Sequence, residues 1–309
     1  MAYKASAPGK VILFGEHAVV YGHPALAAPV LQVHADVQVS DSTRAGIWIE
    51  APDIDLYTEL NTLASNHPLS AIIHKLLFIL SIDPYPTLHI SIDSTIPVAS
   101  GLGSGAAVSV ALIRALSTYI GHPFSDEQTN DLAFEIEKLH HGTPSGIDNT
   151  VITYARPVYF VKGQPPEIFK VGEPFSLVIG DTGIRAPTRE SVGDVRKLWE
   201  RDKEKWEKVF KTIGEIVIQA HIMIEKGKTE KLGELMDQNH TLLQEMTVSS
   251  PELDKLVLAA RKAGALGAKL SGGGRGGNMI ALVKPETSES VANSLMEAGA
   301  RRVITTRVE

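Results

Sequence analysis

Glu137 and Asp148 are two carboxylates separated by a helix end and a loop rich in Gly, Thr, Pro and Ser. Delivered to one place by such a loop, two carboxylates divide labour: one holds a divalent cation and the other accepts a proton. The ordinary alternatives are a Glu137–His141 pair across one helical turn and an Asp148-Asn149 cap or turn. The adjacent His140 and His141 resemble a metal site only superficially, because neighbouring helical side chains diverge. A second group, Lys10, Glu16 and His17, interrupts an apolar run close to Gly9, Gly15 and Gly22. In isolation these would be a solvated strand start and two residues entering a turn.

Between these groups lies a glycine-rich turn, Pro97, Val98, Ala99, Ser100, Gly101, Leu102, Gly103, Ser104, Gly105, Ala106 and Ala107. It joins a strand-like run, 88–92, to a helix-like run, 106–119. Such a turn lets backbone N–H groups approach an anion and aims a helix N-terminus at it, which makes a phosphate cradle. Residues 101–106 also fit the dinucleotide pattern G-x-G-x-x-G/A. That reading needs an acidic residue about 20 positions on, at the end of a second strand, where this chain has a helix and its exit at Gly121-His122-Pro123. The Walker A pattern fails too, since no Lys-Ser/Thr pair follows the glycines. A second turn, Ser271-Gly272-Gly273-Gly274-Arg275-Gly276-Gly277, implies close backbone approach to a ligand or to another segment, or else a flexible hairpin.

The elements that must carry these residues follow from patterning. Strands are expected at 10–15, 30–40, 46–50 and 88–93, and a helix over 68–82 with apolar Ile72, Ile73, Leu76, Leu77 and Leu80. The helix from Ala106 is apolar on most faces and should be central. Ser125-Asp126-Glu127-Gln128 is a capping box for a helix running to about His141. After a strand at 176–181, residues 189–264 read as almost wholly helical, with Trp206, Phe210, Ile213, Val217, Ala220 and Ile224 on one face. The tail returns to strand, glycine-rich turn, strand, helix and strand. The order predicts two α+β lobes, 1–172 and 173–309, with a ligand cleft between them.

Composition narrows the function classes. A net charge of −6 and the lack of a basic block give no footprint for nucleic acid or anionic membrane. The absence of cysteine excludes disulfides, thiolate metal sites and a cysteine nucleophile. The start, Met-Ala-Tyr-Lys-Ala-Ser-Ala-Pro, has no apolar leader core, and the apolar run 71–82 is too short to span a bilayer. A cytoplasmic protein is expected.

Four segments together carry a resemblance: APGKVILFGEHAVVYG at 7–22, PVASGLGSGAAVSV at 97–110, EKLHHGTPSGIDN at 137–149 and KLSGGGRGGNMIAL at 269–282. In this order and spacing they resemble the GHMP small-molecule kinases along the whole chain, closest to the branch that phosphorylates mevalonate. The resemblance implies a two-lobed α+β fold: an N-terminal lobe similar to ribosomal protein S5 domain 2-like folds, a C-terminal α/β lobe and an active site in the cleft. It also implies ATP and mevalonate as substrates, Mg2+ as cofactor and, as the expected assembly, a homodimer.

By position, Asp148 matches the base toward the substrate hydroxyl, and Lys10 the lysine that orients the hydroxyl and stabilises the transferring phosphoryl. Glu137 matches the magnesium-binding glutamate, and residues 97–107 the loop around the ATP phosphates. Glu16, His17 and Thr188 match substrate contacts, and the 271–277 turn would close the site from the second lobe. Two residues depart from the family pattern. Gly105 stands where the family usually has a magnesium-binding serine, leaving Ser104, water or the phosphates to supply that oxygen. Arg275 interrupts a turn that is usually all glycine; a solvent-facing side chain is expected there, with a bidentate phosphate contact as the alternative. A sibling kinase for phosphomevalonate or another small alcohol, and a non-catalytic nucleotide-binding relative, stay open.

Overall fold

A computed structural model describes residues 1–309 except Val98, Ala99 and Gly142–Pro144; the side chains of His140 and His141 also lie outside the described set. In chain order the elements are β1 (Ala2–Phe14), β2 (Ala25–Asp41), β3 (Ile47–Ala51), β4 (Leu56–Glu59), α1 (Pro68–Ile79), β5 (Leu88–Ser94), α2 (Ser104–Tyr119), α3 (Asp126–His141), α4 (Ile147–Tyr154), β6 (Val158–Phe160), β7 (Glu167–Ile168) and β8 (Phe175–Asp181). They continue with α5 (Thr188–Arg201), α6 (Lys203–Glu225), α7 (Leu232–Glu245), α8 (Pro251–Lys262), β9 (Gly267–Ser271), β10 (Asn278–Val283), α9 (Ser288–Glu297) and β11 (Arg302–Val308).

The chain forms two compact units, and neither is contiguous in sequence. The first comprises Met1–Gly9, Val33–Val98 and Gly103–Ala155; the second comprises Lys10–Gln32, Ala99–Leu102 and Arg156–Glu309. This differs from the contiguous lobes 1–172 and 173–309 expected from sequence. The physical reason is strand length: β1 and β2, of 13 and 17 residues, are long enough to serve both units.

In the first unit β2 pairs antiparallel with β5, β5 parallel with β3, and β3 antiparallel with β4. Against this sheet α2 packs, in contact with α1, α3 and α4. Its Val110, Ala111, Leu112, Ile113 and Leu116 are fully buried, as an all-round apolar helix must be. The capping box forms as expected: Gln128 N donates to Ser125 Oγ at 3.2 Å, and Ser125 N to Gln128 Oε1 at 2.9 Å.

In the second unit β11, β8, β10 and β9 lie side by side in that order, all antiparallel. Helices α7, α8 and α9 cover them. Within α6 the predicted stripe Trp206, Phe210, Ile213, Val217, Ala220 and Ile224 is buried. Asp202 caps this helix by accepting from Lys205 N at 3.0 Å, and Ser250 caps α8 by accepting from Leu253 N at 3.3 Å. Among the described residues, no helix is long and apolar enough to cross a membrane.

Candidate active site

The predicted site residues divide between the units. Glu137, Asp148, Pro97 and Gly103–Ala107 belong to the first; Lys10, Glu16, His17, Ser100–Leu102, Thr188 and the 271–277 turn belong to the second. Val98 and Ala99 lie outside the described residues.

In the first unit, Gly103 sits at the N-cap of α2 with φ 79°, and among the described residues no side chain caps the helix or adds an acid to its first turn. The exposed first-turn N–H groups, with the helix dipole behind them, suit an anion. Ser104 opens this turn. Gly105 follows it, exposed and in helical conformation, and a Cβ built there would meet nothing within 4 Å. Glu137 lies in the last part of α3, as expected. Asp148 follows the loop, as expected, and lies in the first turn of α4, a helix that the sequence pattern does not announce. Helices α3 and α4 pack together, so the two carboxylates come from adjoining helices. Asn149, oriented to suit its neighbours, donates to Gly146 O at 3.0 Å and lies 3.3 Å from Glu137 Oε2.

The oxygen chemistry of Glu137 and Ser104, the residues expected from sequence to hold a cation, suits magnesium better than a transition metal. Among the described residues, no group of three or more His, Asp or Glu forms a cage. Magnesium needs none, because it binds through one or two carboxylates plus substrate phosphates and keeps several waters. Glu137 and the Ser104 hydroxyl are oxygen donors of that kind.

The second unit assembles its residues around the turn that follows β1. Lys10 is buried within β1, and its backbone N donates to Leu102 O at 2.9 Å. Asn278, at the start of β10, donates from Nδ2 to Ser100 O at 2.6 Å and so tethers the same loop. Gly15 turns the chain with φ 98°; a Cβ there would lie 2.5 Å from Pro24 O, so only glycine fits. Tyr21 stacks on Phe210 of α6 with ring centroids 4.2 Å apart, bracing the turn from behind.

Glu16 and His17 are both buried, and His17 adopts φ 61° and ψ −47°, the centre of a γ-turn closed by Ala18 N donating to Glu16 O at 2.7 Å, a strained conformation that costs a non-glycine residue of order 1–3 kcal/mol. Glu16 Oε1 accepts from Lys269 Nζ. Burial pushes the Glu16 carboxyl above the usual carboxylate range and Lys269 below the usual lysine range, each against the attraction of the other. His17 Nε2 lies 3.1 Å from Gly273 O. A carbonyl only accepts, so Nε2 carries the proton. Burial lowers the His17 pKa to about 4, so the ring is neutral near pH 7 and Nδ1 is an acceptor. Among the described residues, Glu16 Oε2 and His17 Nδ1 are both buried with no hydrogen-bond partner. Two acceptors in that condition on consecutive residues suit a ligand that brings donors.

Thr188 opens α5 against the same glycine-rich turn: a Cβ built on Gly273 would lie 2.9 Å from Thr188 Oγ1. The structure therefore gathers His17 and Thr188 around Gly273, while Glu16 meets Lys269 and the neighbouring Gly272. The expectation for Arg275 is corrected. Its side chain is only 33% exposed and pairs with Asp194 of α5 at 2.6 Å, while its backbone N donates to Val248 O at 2.7 Å. A carboxylate one helix away competes successfully with solvent for the guanidinium. Lys269 and Asn278 received no role from sequence. The signal was a lysine inside the apolar strand Ala268-Lys269-Leu270, and an amide opening the strand after the glycines. A surface groove of about 640 Å³, lined by residues including Lys262, Glu286, Glu289 and Glu297, contains none of these residues.

The profile of the GHMP kinases N terminal domain matches residues 69–156, and that of the GHMP kinases C terminal matches residues 222–301. The chain is 40% identical to the mevalonate kinase of Pyrococcus horikoshii over 97% of its own length and 94% of that protein's. Its fold superposes on L. major mevalonate kinase in complex with R-mevalonate with a TM-score of 0.87 and 30% identity, covering 99% of this chain and 95% of the other. It superposes equally on Methanococcus jannaschii mevalonate kinase, TM-score 0.87 and 28% identity, covering 100% and 98%. With both halves of the family represented and such likeness along its length, the chain belongs to the GHMP kinases, on their mevalonate kinase branch.

Proposed function

We propose that this enzyme transfers the γ-phosphoryl group of ATP to the primary hydroxyl of mevalonate. The observation that carries this reading is the 40% identity to a mevalonate kinase over 97% of the chain. The unpartnered acceptors Glu16 Oε2 and His17 Nδ1 support it, since a hydroxylated substrate brings the donors they need.

In this reading the substrate hydroxyl oxygen attacks the γ-phosphorus, and the bond to the β,γ-bridging oxygen breaks. The products are a phosphate monoester and ADP, with the hydroxyl proton passing to the Asp148 carboxylate. Transfer is direct and in line, so the protein works through position and electrostatics. Lys10 orients the hydroxyl and stabilises charge on the transferring group. The uncapped first turn of α2 and the 97–107 loop receive the ATP phosphates. Glu137 and Ser104 would hold magnesium, which supplies charge neutralisation on those phosphates. Glu16, His17 and Thr188 position the acceptor substrate. The expected assembly is a homodimer and the expected compartment the cytoplasm; light scattering on the purified protein tests the former.

A coupled ADP-release assay across mevalonate, phosphomevalonate, homoserine and galactose tests the reading. Turnover with mevalonate far above the others is expected. Preference for phosphomevalonate, or no turnover with any alcohol, would overturn it.

A further inference from the structure

Lys269 stands in the middle of β9 with no exposed surface, between Ala268 and Leu270, which are equally buried. A buried ammonium carries a desolvation cost of several kcal/mol, and an apolar residue of similar volume would avoid it. Its contacts show what it does there. Nζ donates to Glu16 Oε1 and to its own neighbour's carbonyl, Leu270 O, at 2.6 Å. The strand carrying it is anchored on both sides: Ser271 Oγ accepts from Ile12 N at 3.0 Å and donates to Ile12 O at 2.9 Å, while Leu270 N donates to His240 Nδ1 at 3.3 Å. Lys269 is thus held rigidly opposite the turn that presents Glu16. The Glu16 carboxylate also faces the backbone N–H groups of Glu16 and Gly272, and among the described residues Oε2 is buried with no hydrogen-bond partner within normal geometry, as is Nδ1 of the next residue, His17.

We propose that Lys269 is a positioning residue for the acceptor substrate: by engaging Oε1 of Glu16 it fixes the carboxylate so that Oε2 is presented to a substrate hydroxyl. Lys269 touches no substrate and acts through Glu16 alone. The inference rests on the reading of Glu16 and His17 as substrate contacts.

The test is a cycle of full-length variants: wild type, Lys269→Met, Glu16→Ala and the double variant, each assayed for mevalonate KM, kcat and nucleotide Kd. Loss of one charge-assisted hydrogen bond predicts a KM rise of roughly 10- to 100-fold for Lys269→Met, with nucleotide Kd unchanged. In the Glu16→Ala background, which removes the acceptor for Lys269 Nζ, the same substitution should change KM little, because its only route of action has gone. A purely structural lysine would instead lower Tm without a KM effect that depends on Glu16. Unchanged KM in Lys269→Met, or an equal rise in both backgrounds, overturns the proposal. If Lys269→Met does not fold, Lys269→Gln replaces it and is read in the opposite sense: because its amide can still donate to Glu16, a KM near wild type is expected, and a large rise that is equal with and without the Glu16 side chain overturns the proposal. Wild type that turns over a different alcohol overturns the substrate assignment instead, and the cycle is then read with that alcohol's KM.

Discussion

His17 Nε2 lies 3.1 Å from the carbonyl oxygen of Gly273, joining two turns that are 256 residues apart in the chain. One hydrogen bond fixes the histidine tautomer, its ring orientation and the approach of the glycine-rich turn. The backbone strain at His17 is accepted at this junction, where a relaxed φ would turn the ring away.

This geometry predicts an acid-sensitive stability. The His17 pKa is lowered from 6.5 to about 4. Below pH 6.5 the unfolded chain binds a proton that the folded state refuses, so stability is full above that pH and declines as pH falls toward about 4. The shift corresponds to about 3 kcal/mol. His240, also lowered to about 4 by burial, adds a slope in the same window. Urea unfolding between pH 4 and 7 should show the decline, flattened in part by His17→Gln. A parallel slope in that variant would contradict the assignment.

Arg275→Gly restores an unstrained residue at φ 60° but removes the pair with Asp194. These effects oppose, so Tm should move by a few degrees at most. Mevalonate KM should rise several-fold, because the turn loses its tie to the helix that begins at Thr188. Asp194 has its pKa lowered to about 2, by a hydrogen bond from Lys197 first and Arg275 second. That contribution is present above the ordinary value near 3.8 and is lost as pH falls through about 2, so the variant should lose stability at slightly higher pH in an acid titration of Tm.

Gly105→Ser tests how the cation is held. The position is helical, and a new Cβ meets nothing within 4 Å, so the serine should fold without strain. It should stabilise the protein by about 0.5 kcal/mol through helix propensity. In a magnesium titration of activity, half-saturation should fall for Gly105→Ser and rise for Glu137→Gln. Coincident titration curves for all three proteins would remove both residues from the cation site.

Asp148→Asn should keep nucleotide affinity, measured by calorimetry, while kcat falls by about 10²- to 10⁴-fold through loss of the proton acceptor. A variant with wild-type kcat would exclude Asp148 as the base.

Local rules carried much of the sequence reading. The Ser125–Gln128 capping box, the buried stripe of α6 and the all-round apolar α2 each depend on residues within a few turns of one another, and each forms as expected. Helix α4 escaped because eight residues after a glycine carry too little periodicity to announce a helix; packing against α2 and α3 accompanies it.

Sequence alone determined the family, through four segments whose residue types are set by backbone geometry and phosphate chemistry. It could not decide what a buried or half-buried cation would meet. Lys269 finds Glu16 across 253 residues, and Arg275 finds Asp194 across 81, because chain reversal brings those carboxylates within reach. Nor did it set the division into units, which follows from β1 and β2 running long enough to belong to both. Motif chemistry is local and can be read along the chain. The partner of a charge and the compactness of a unit depend on distance in space, which only the folded chain defines.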